Sequence, residues 1–378
     1  MKAVPLAERA TLGALLIASS EVDPDSQVAD RGAVHRWLRP DDFVDPWHAE
    51  VYRSIRALTT AGDPAGAEAV GRELFRRLGP TRGDVVRVAG LLHDLPPHAQ
   101  AETYAVMVLE ASLRRAAAGH GVLLRAGALQ SSLDGSARPM LAIAAVVDDA
   151  LDGAADRWAA ATGQPRLDRA RRAPAALRSA TAGVGGALGA DRLLAAHPRP
   201  TAREVADREA TLIAALITHP SQIGATSAWL RPAALANRTW RPVYEAVLRL
   251  HTYGRPLDAV TVFWETQRSA RTAGLGPDPA SGTALIERNI ATQPGHVARL
   301  VAGDHLRLAA DHAAASLHTA AANPGLDLAE VLGTGHILAE ALRAGSRPLD
   351  TESVDLARLA TVHALPSAHV HRAGPVAG

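Results

Sequence analysis

The feature that most constrains the fold is an internal duplication, because a repeated sequence pattern encodes a repeated structural unit. The tetrapeptide Trp-Leu-Arg-Pro at residues 37–40 recurs at residues 229–232, a separation of 192 positions (229 − 37). Identical residues flank it at the same separation: Tyr52 and Tyr244, Leu58 and Leu250, Gly62 and Gly254, Pro64 and Pro256, Val70 and Val262, Glu73 and Glu265. We therefore interpret the chain as two copies of one module.

The beginning of each copy aligns at a different separation. Residues 10–17 match residues 210–217, a shift of 200 positions (210 − 10). The difference between the two shifts indicates a longer loop in copy one, and we place the insertion at residues 23–31. Surface loops tolerate insertions, so both copies can still share one fold.

The composition predicts an all-α fold. Aromatic residues make up 3% of the 378 residues, whereas sheets draw on aromatic and β-branched residues. We expect Asp45, Thr239 and Asp258 to cap helices through their side-chain oxygens. Gly62 and Gly254 are expected to take the left-handed conformation just past a helix end.

A long helical hairpin is predicted in the second half of each copy. The first begins near Tyr104 and returns through residues 140–160. The second begins near Val297 and returns through residues 328–343. Ala-rich hairpins of this length carry an apolar stripe that normally packs on another helix pair. The candidate partner interface is therefore Tyr104, Val108, Ala111, Leu113, Val297, Val301 and Leu308.

The expected architecture is two tandem helical bundles, each followed by a hairpin and joined by a flexible linker. The boundaries are residues 6–160 for copy one, 161–200 for the Arg/Ala/Gly/Pro-rich linker, 201–343 for copy two and 344–378 for a disordered tail. A basic run in the linker is the candidate phosphate contact: Arg166, Arg169, Arg171 and Arg172. A solvated linker is the competing interpretation of this run.

Several enzyme classes are excluded by missing residue types. The only lysine is Lys2, so no P-loop lysine can neutralise nucleotide phosphates. The glycine-rich residues 183–189 follow no apolar strand and lack the spacing of a dinucleotide loop. The absence of cysteine excludes thiol catalysis and disulfides. We expect no cofactor and no catalytic activity; an enzyme with an unrecognised site is the remaining alternative.

The sixteen histidines raise the question of a metal site. His305 and His312 lie seven positions apart and can share a helix face, but two histidines do not complete a metal site. We therefore predict no bound metal. A net charge of +1 and the lack of an apolar run of about 18 residues predict a cytoplasmic protein without a membrane segment.

Both copies carry motifs that resemble the amino-terminal domain of the DnaB-type replicative DNA helicase. Copy one has Glu8 followed by Leu-Gly-Ala-Leu-Leu at residues 12–16, then Leu-x-Pro-x-Asp-Phe at residues 38–43 and Asp-Pro-x-His at residues 45–48. Copy two has Gly-x-Pro-Leu-Asp-x-Val-Thr-Val at residues 254–262. Each copy thus keeps a different half of the family signature.

The resemblance implies a helical bundle whose hairpin pairs with another hairpin in the collar of a hexameric ring. It also implies a surface that meets the helical carboxy-terminal domain of primase. The family's ATPase half has no counterpart in these 378 residues. We therefore expect a non-catalytic adaptor or regulator that pairs its two copies, or pairs between chains, and binds replicative helicase or primase. A nucleic-acid-binding protein that uses the arginine run is the alternative, and its affinity would fall steeply with salt.

Overall fold

The protein is all-α, as predicted from its composition. A computed structural model describes residues 3–19, 34–79, 85–93, 95, 99–164, 186–269 and 293–350, and these ranges contain helices and turns without a strand. Within the same ranges, no helix has the length and apolar character needed to cross a membrane.

Copy one is a bundle of four helices followed by a hairpin. One helical turn at residues 34–37 and a 3₁₀ turn at Pro40–Asp42 connect the first two helices. The bundle helices are α1 (Val4–Ala18), α2 (Pro46–Ala61), α3 (Ala67–Leu78) and α4 (Val85–His93). The hairpin helices are α5 (Ala101–Asp134) and α6 (Arg138–Thr162). Helix α1 packs on α2 and α4, and α3 packs on the same two helices.

After the intervening helix α7 (Gly186–Ala196), the described part of copy two repeats the first three bundle helices and the hairpin, with a short helix in place of the turn at residues 34–37. Its bundle helices are α8 (Ala202–Thr218), α9 (Ile223–Ser227), α10 (Trp240–Thr252) and α11 (Ala259–Ser269). Its hairpin helices are α12 (Pro294–Ala322) and α13 (Leu328–Ser346). Helix α10 packs on α8 and α11. The tandem arrangement of bundle and hairpin is therefore confirmed.

The described residues divide into two compact units, each assembled from three segments of the chain. The first unit takes its residues from 1–126, 142–193 and 310–341, and the second from 127–141, 194–309 and 342–378. Residues 310–341 include the tip of the copy-two hairpin, and residues 127–141 are the tip of the copy-one hairpin. Each unit therefore contains the bundle of one copy and the hairpin tip of the other.

Matching hydrogen bonds fix the alignment of the two bundles. The Tyr52 hydroxyl donates to the carbonyl oxygen of Leu38 at 3.3 Å, and Tyr244 donates to Leu230 at 2.9 Å. All four residues are buried, and each pair is separated from its counterpart by 192 positions. The two left-handed glycines also agree with prediction, with φ of 81° at Gly62 and 59° at Gly254. The central part of the predicted repeat is thus the structural repeat.

Two of the three predicted helix caps are present. Asp45 accepts a hydrogen bond from the backbone N–H of Trp47 at 2.7 Å, and Asp258 accepts from Thr261 at 2.8 Å. The prediction for Thr239 is wrong, because its side chain caps nothing. Asn237, which stands 192 positions after Asp45, accepts the N–H of Thr239 at 2.8 Å. The capping role therefore stays at the same repeat position with an amide in place of a carboxylate.

The alignment of the first helices requires a correction of one residue. Buried Glu8 accepts from the backbone N–H of Val44 at 2.5 Å, and buried Glu209 accepts from that of Ala236 at 2.7 Å. Val44 and Ala236 are equivalent by the shift of 192, so Glu8 is equivalent to Glu209 at a shift of 201 (209 − 8). The shift of 200 followed a local Ala-Thr-Leu identity, which places Glu8 opposite Arg208.

The interval that we predict as linker contains helix α7 (Gly186–Ala196). In the predicted tail, α13 continues to Ser346 and is followed by a 3₁₀ turn at Arg347–Asp350. The four arginines predicted to contact phosphate lie between residues 165 and 185, outside the described residues. Their role stays a prediction.

Candidate interaction surfaces

The two hairpins meet inside the first unit at a pair of equivalent positions. Gly121 on α5 lies against Ala314 on α12, so close that a Cβ on Gly121 would sit 3.0 Å from the Ala314 Cβ and 3.1 Å from its Cα. These two residues correspond at the hairpin shift of 193 positions (314 − 121). Contact between a residue and its own equivalent is the hallmark of twofold, isologous packing. The pairing is therefore an internal counterpart of a symmetric dimer interface.

Polar contacts flank this crossing point. Arg125 on α5 pairs with Asp311 on α12 at 2.7 Å. Arg114 lies on α5 about two helical turns before Gly121. Its buried guanidinium donates to the carbonyl oxygens of Asn323 at 3.0 Å and Leu326 at 2.6 Å. These carbonyls belong to the loop between α12 and α13, so Arg114 holds the tip of the copy-two hairpin. Charge-assisted bonds of this kind fix position as well as adding energy.

The returning helices of the two hairpins are also joined. His336 on α13 lies with Nδ1 at 2.9 Å from Asp148 Oδ1 and Nε2 at 3.5 Å from Asp152 Oδ1, both on α6. Gly335 lies where a Cβ would be 2.7 Å from Leu151 Cδ1. A small residue at this point lets α13 approach α6 closely.

In the second unit, the tip of the copy-one hairpin is held in a comparable way. Asp350 accepts hydrogen bonds from the Ser136 hydroxyl at 3.0 Å and the Ala137 backbone N–H at 2.8 Å. Gly303 on α12 lies against Ser132, whose Oγ would be 2.4 Å from an added Cβ. Both hairpin tips are therefore anchored by residues of the other copy.

Asp42 attaches the copy-one hairpin to its own bundle. Its carboxylate accepts from Ser112 Oγ on α5 at 2.8 Å and pairs with Arg157 on α6. Its carbonyl oxygen accepts from Arg115 at 2.6 Å. Ala234 occupies the equivalent position in copy two, so this buried anchor exists in copy one alone.

A cavity of about 580 Å³ opens between α1, α4 and α5 of the first unit. Its wall is mainly apolar and includes Leu6, Ala7, Leu91, Tyr104 and Met107. Two charged residues, Arg9 and Glu110, also line it. Leu6 is 66% exposed and Met107 is 49% exposed, so apolar surface continues outside the cavity. Cavities of this size and character are typical binding sites.

Copy two places charged residues at positions equivalent to the cavity region. At a shift of 201, Leu6 and Ala7 correspond to Asp207 and Arg208. Arg208 binds both carboxylate oxygens of Asp304 at 2.7 Å. Burial raises the pKa of Asp304, and the hydrogen bond from Arg208 opposes that effect. At these two positions of α8, charged side chains of copy two thus replace apolar side chains of copy one.

The comparison with known proteins identifies the family. The model of the DnaB-like helicase N terminal domain matches residues 2–110 and 202–291, which together exceed half of the 378 residues. The chain belongs to the DnaB-like helicase N-terminal domain family. Two separate matches confirm that it carries this module in tandem, and the membership associates the chain with DNA replication. Among solved structures, none matches this chain.

The buried glutamate that opens the family pattern has different hydrogen-bond partners in the two DnaB-like modules. In copy one, Glu8 Oε2 lies 2.7 Å from Nδ1 of the buried His48. In copy two, Trp240 stands in place of His48, and Glu209 accepts hydrogen bonds from the backbone N–H groups of Ala236 and Asn237. Burial raises the pKa of Glu209 to about 7, against the lowering effect of these hydrogen bonds. Sequence reasoning missed Glu209, although its position four residues before Ile213, like that of Glu8 before Leu12, was the available signal.

The residues predicted as a partner interface lie in both DnaB-like hairpins. Five of the seven are buried within the chain: Val108, Ala111, Leu113, Val297 and Val301. Tyr104 is half-buried and lines the cavity, whereas Leu308 is exposed. Sequence reasoning did not find Leu6, Met107 or Arg114. Among the described residues, no cluster of three His, Asp or Glu side chains is arranged to hold a metal ion.

Proposed function

We propose that this chain is a non-catalytic interaction module of DNA replication, an adaptor or regulator of a replicative helicase or primase. In this proposal its two DnaB-like modules pair with each other through their hairpins. The observation that carries the proposal is the contact between Gly121 and its equivalent Ala314. A dimer-like interface formed within one chain leaves the outer surfaces of the bundles to meet partners.

Tethering favours internal pairing over exchange between chains. Both hairpins belong to one polypeptide, so each meets the other at an effective concentration in the millimolar range for a flexible connection. The contacts of Arg114 and Asp350 with hairpin tips add specific anchors to this proximity. Pairing with a separate chain would need to replace these anchors as well as the apolar contacts.

Sedimentation velocity of the full chain tests the internal pairing. We expect a monomer whose sedimentation coefficient is independent of concentration across the micromolar range. A dimer that dissociates on dilution would contradict internal pairing, because hairpins paired between chains obey mass action.

Binding measurements test the replication partner. Purified replicative helicase and primase from the host are immobilised separately, and the full chain is titrated by biolayer interferometry. We expect saturable binding to at least one of them at physiological salt. The absence of binding to both proteins would overturn the proposed role.

A further inference from the structure

Two close contacts between the hairpins have a glycine on one side. In the first unit, Gly121 on α5 faces Ala314 on α12. In the second unit, Gly303 on α12 faces Ser132 near the end of α5. Copy one supplies the glycine at the first contact and copy two supplies it at the second. The hairpin shift of 193 positions identifies the residue that each hairpin would present to a second copy of itself.

The Gly303 contact opposes pairing of the copy-one hairpin with its own kind. The equivalent of Gly303 in copy one is Glu110, at a shift of 193 (303 − 110). Even a Cβ alone at position 303 would lie 2.4 Å from Ser132 Oγ, 3.1 Å from Ser132 Cβ and 3.4 Å from its Cα. The hydroxyl can rotate to another rotamer, but the Cβ and Cα cannot move without the helix. A glutamate at this contact would therefore force the two helices apart.

The Gly121 contact opposes pairing of the copy-two hairpin with its own kind. Ala314 would then face a second Ala314 in place of Gly121. A Cβ at position 121 would lie 3.0 Å from Ala314 Cβ and 3.1 Å from Ala314 Cα. Non-bonded carbon atoms pack best at about 3.5–4.0 Å. Two copy-two hairpins would have to separate at this point, which weakens the close packing of their neighbours.

An ion pair beside the crossing also favours the pairing of unlike hairpins. Arg125 on α5 binds Asp311 on α12 at 2.7 Å. The residue of copy one equivalent to Asp311 is Ala118, and the residue of copy two equivalent to Arg125 is His318. A pair of copy-one hairpins would place Arg125 opposite Ala118, and a pair of copy-two hairpins would place Asp311 opposite His318. Arginine meets aspartate at this position only when the hairpins differ.

We propose that Gly121 and Gly303 make the two hairpins selective for each other, so that neither hairpin pairs with a second copy of itself. The inference rests on the proposed internal pairing of the two modules and names the residues that decide which hairpins pair. Each hairpin carries a glycine where the other carries a side chain. Specific pairing depends on clashes in the unwanted pairs as well as on contacts in the wanted one. Separate chains are thereby kept from joining through like hairpins.

Sedimentation velocity of full-chain variants tests the selectivity. Gly303→Glu with Ala314→Leu adds bulk at both contacts from the copy-two side and leaves the copy-one hairpin unchanged. We expect this double variant to stay monomeric across the micromolar range, because Glu110 still keeps two copy-one hairpins apart. Adding Glu110→Gly removes that obstacle. The triple variant should associate about tenfold or more tightly, since relief of one overpacked contact is worth roughly that factor.

Smaller substitutions test each contact where the larger ones disturb folding. Gly303→Ala and Gly121→Ala should each have a lower urea midpoint than Gly119→Ala, the control at which an added Cβ meets nothing within 4 Å. All three changes raise helix propensity equally, so the difference reports the contact. Ser132→Gly should cost less in Gly303→Ala than in the parent chain. Ala314→Gly should likewise cost less in Gly121→Ala, because the small residue then lies on the other helix.

Two outcomes overturn the inference. The first is equal association of the double and triple variants, whether both are monomers or both are dimers, which would show that Glu110 does not select between hairpins. The second is a cost of each alanine that does not depend on the residue facing it. The internal pairing itself is judged on the parent chain. A parent that dimerises with concentration contradicts the proposed pairing, whereas a monomeric parent whose variants all behave alike contradicts the selectivity alone.

Discussion

The two copies share the hydrogen bonds of the buried tyrosines and glutamates but differ at other positions, both buried and exposed. Copy one has Ala7 and Ala111 where copy two has the salt-bridged Arg208 and Asp304. A second difference lies on α3 and α11, where copy one has charged side chains and copy two has apolar ones. Glu68 and Arg72 form a solvated ion pair on α3, with side chains 81% and 70% exposed, whereas copy two carries Val260 and Trp264 there, 76% and 69% exposed.

These differences show which features of the module both copies keep and which have changed. The tyrosine bonds, the left-handed glycines and the buried glutamates recur because they close each bundle. Exposed positions carry little of the stability, so they vary freely. Each copy can therefore acquire its own contact surface without losing the common core.

The largest expected effect comes from breaking the copy-two salt bridge. Arg208→Ala should lower the free energy of unfolding by about 3 kcal/mol, because it leaves the buried Asp304 carboxylate without its cation. Urea denaturation measures the change. Arg203→Ala, which removes an exposed pair with Asp207, is the control and should cost under about 0.5 kcal/mol.

A double variant sharpens this comparison. Arg208→Ala with Asp304→Ala recreates the two alanines of copy one. It should recover about half or more of the stability lost in Arg208→Ala, since no unpaired charge stays buried. A double variant less stable than the single one would show that the two copies need different packing at this point.

The next effect concerns the point where the copies cross. Gly121→Val should destabilise the chain by about 2 kcal/mol, because the new side chain meets the backbone of Ala314. Thermal unfolding provides the measurement. Gly119→Val is the matched control on the same helix, where an added Cβ meets nothing within 4 Å. Equal losses in the two variants would mean that helix propensity, not hairpin pairing, sets the cost.

A smaller effect is the pH dependence of stability that comes from the buried Glu209. The folded-state pKa of Glu209 is about 7, above the roughly 4.3 of an unfolded glutamate. Folding therefore takes up a proton between these values, and stability falls as pH rises from about 4 to about 7. Glu209→Gln should reduce this fall by on the order of 1 kcal/mol. Denaturation at several pH values measures it.

The control for this pH dependence lies on the same helix. Hydrogen bonds from Thr201 lower the pKa of the exposed Glu204, so its titration lies below the window. Glu204→Gln should leave the slope between pH 5 and pH 7 unchanged. A slope that persists in Glu209→Gln would assign it to other groups.

The smallest effect is expected on the exposed faces of α3 and α11. Exchanging Val260 and Trp264 for the Glu and Arg of copy one should change stability by less than about 0.5 kcal/mol. The reverse exchange at Glu68 and Arg72 should be equally mild. Thermal unfolding of both variants checks this, and a loss several times larger in either would reveal a packing role.

Much of the fold follows from local sequence. The aspartate and glycine signals located boundaries of α2, α10 and α11, and the hairpin pattern located both hairpins, since these signals act within a few residues. Helix α4 was not predicted. The errors arose where a local identity competed with a longer-range contact. The equivalence of Glu209 to Glu8 follows from its hydrogen bonds to residues 27 and 28 positions away. The local Ala-Thr-Leu match instead aligned Glu8 with Arg208. Asn237 was missed because the cap lies two residues before the expected Thr239.

The candidate site was less predictable than the fold. Tyr104 was identified from the hairpin pattern and does line the cavity. Leu6 and Met107 were not identified, because the cavity depends on how three helices pack together. The residue pattern of one helix does not predict that packing. Arg114 was missed for a similar reason, since its acceptors lie 209 and 212 positions along the chain.

The interleaving of the two units has a consequence for synthesis on the ribosome. Residues 310–341 complete the first unit, so the nascent chain cannot close that unit until most of its 378 residues have been made. Until then, α5 and α6 lack the contacts that α12 and α13 make with them in the finished chain. Chains that begin folding in this state are exposed to mutual exchange of hairpins, so the rate of translation through copy two should govern how much monomer is produced.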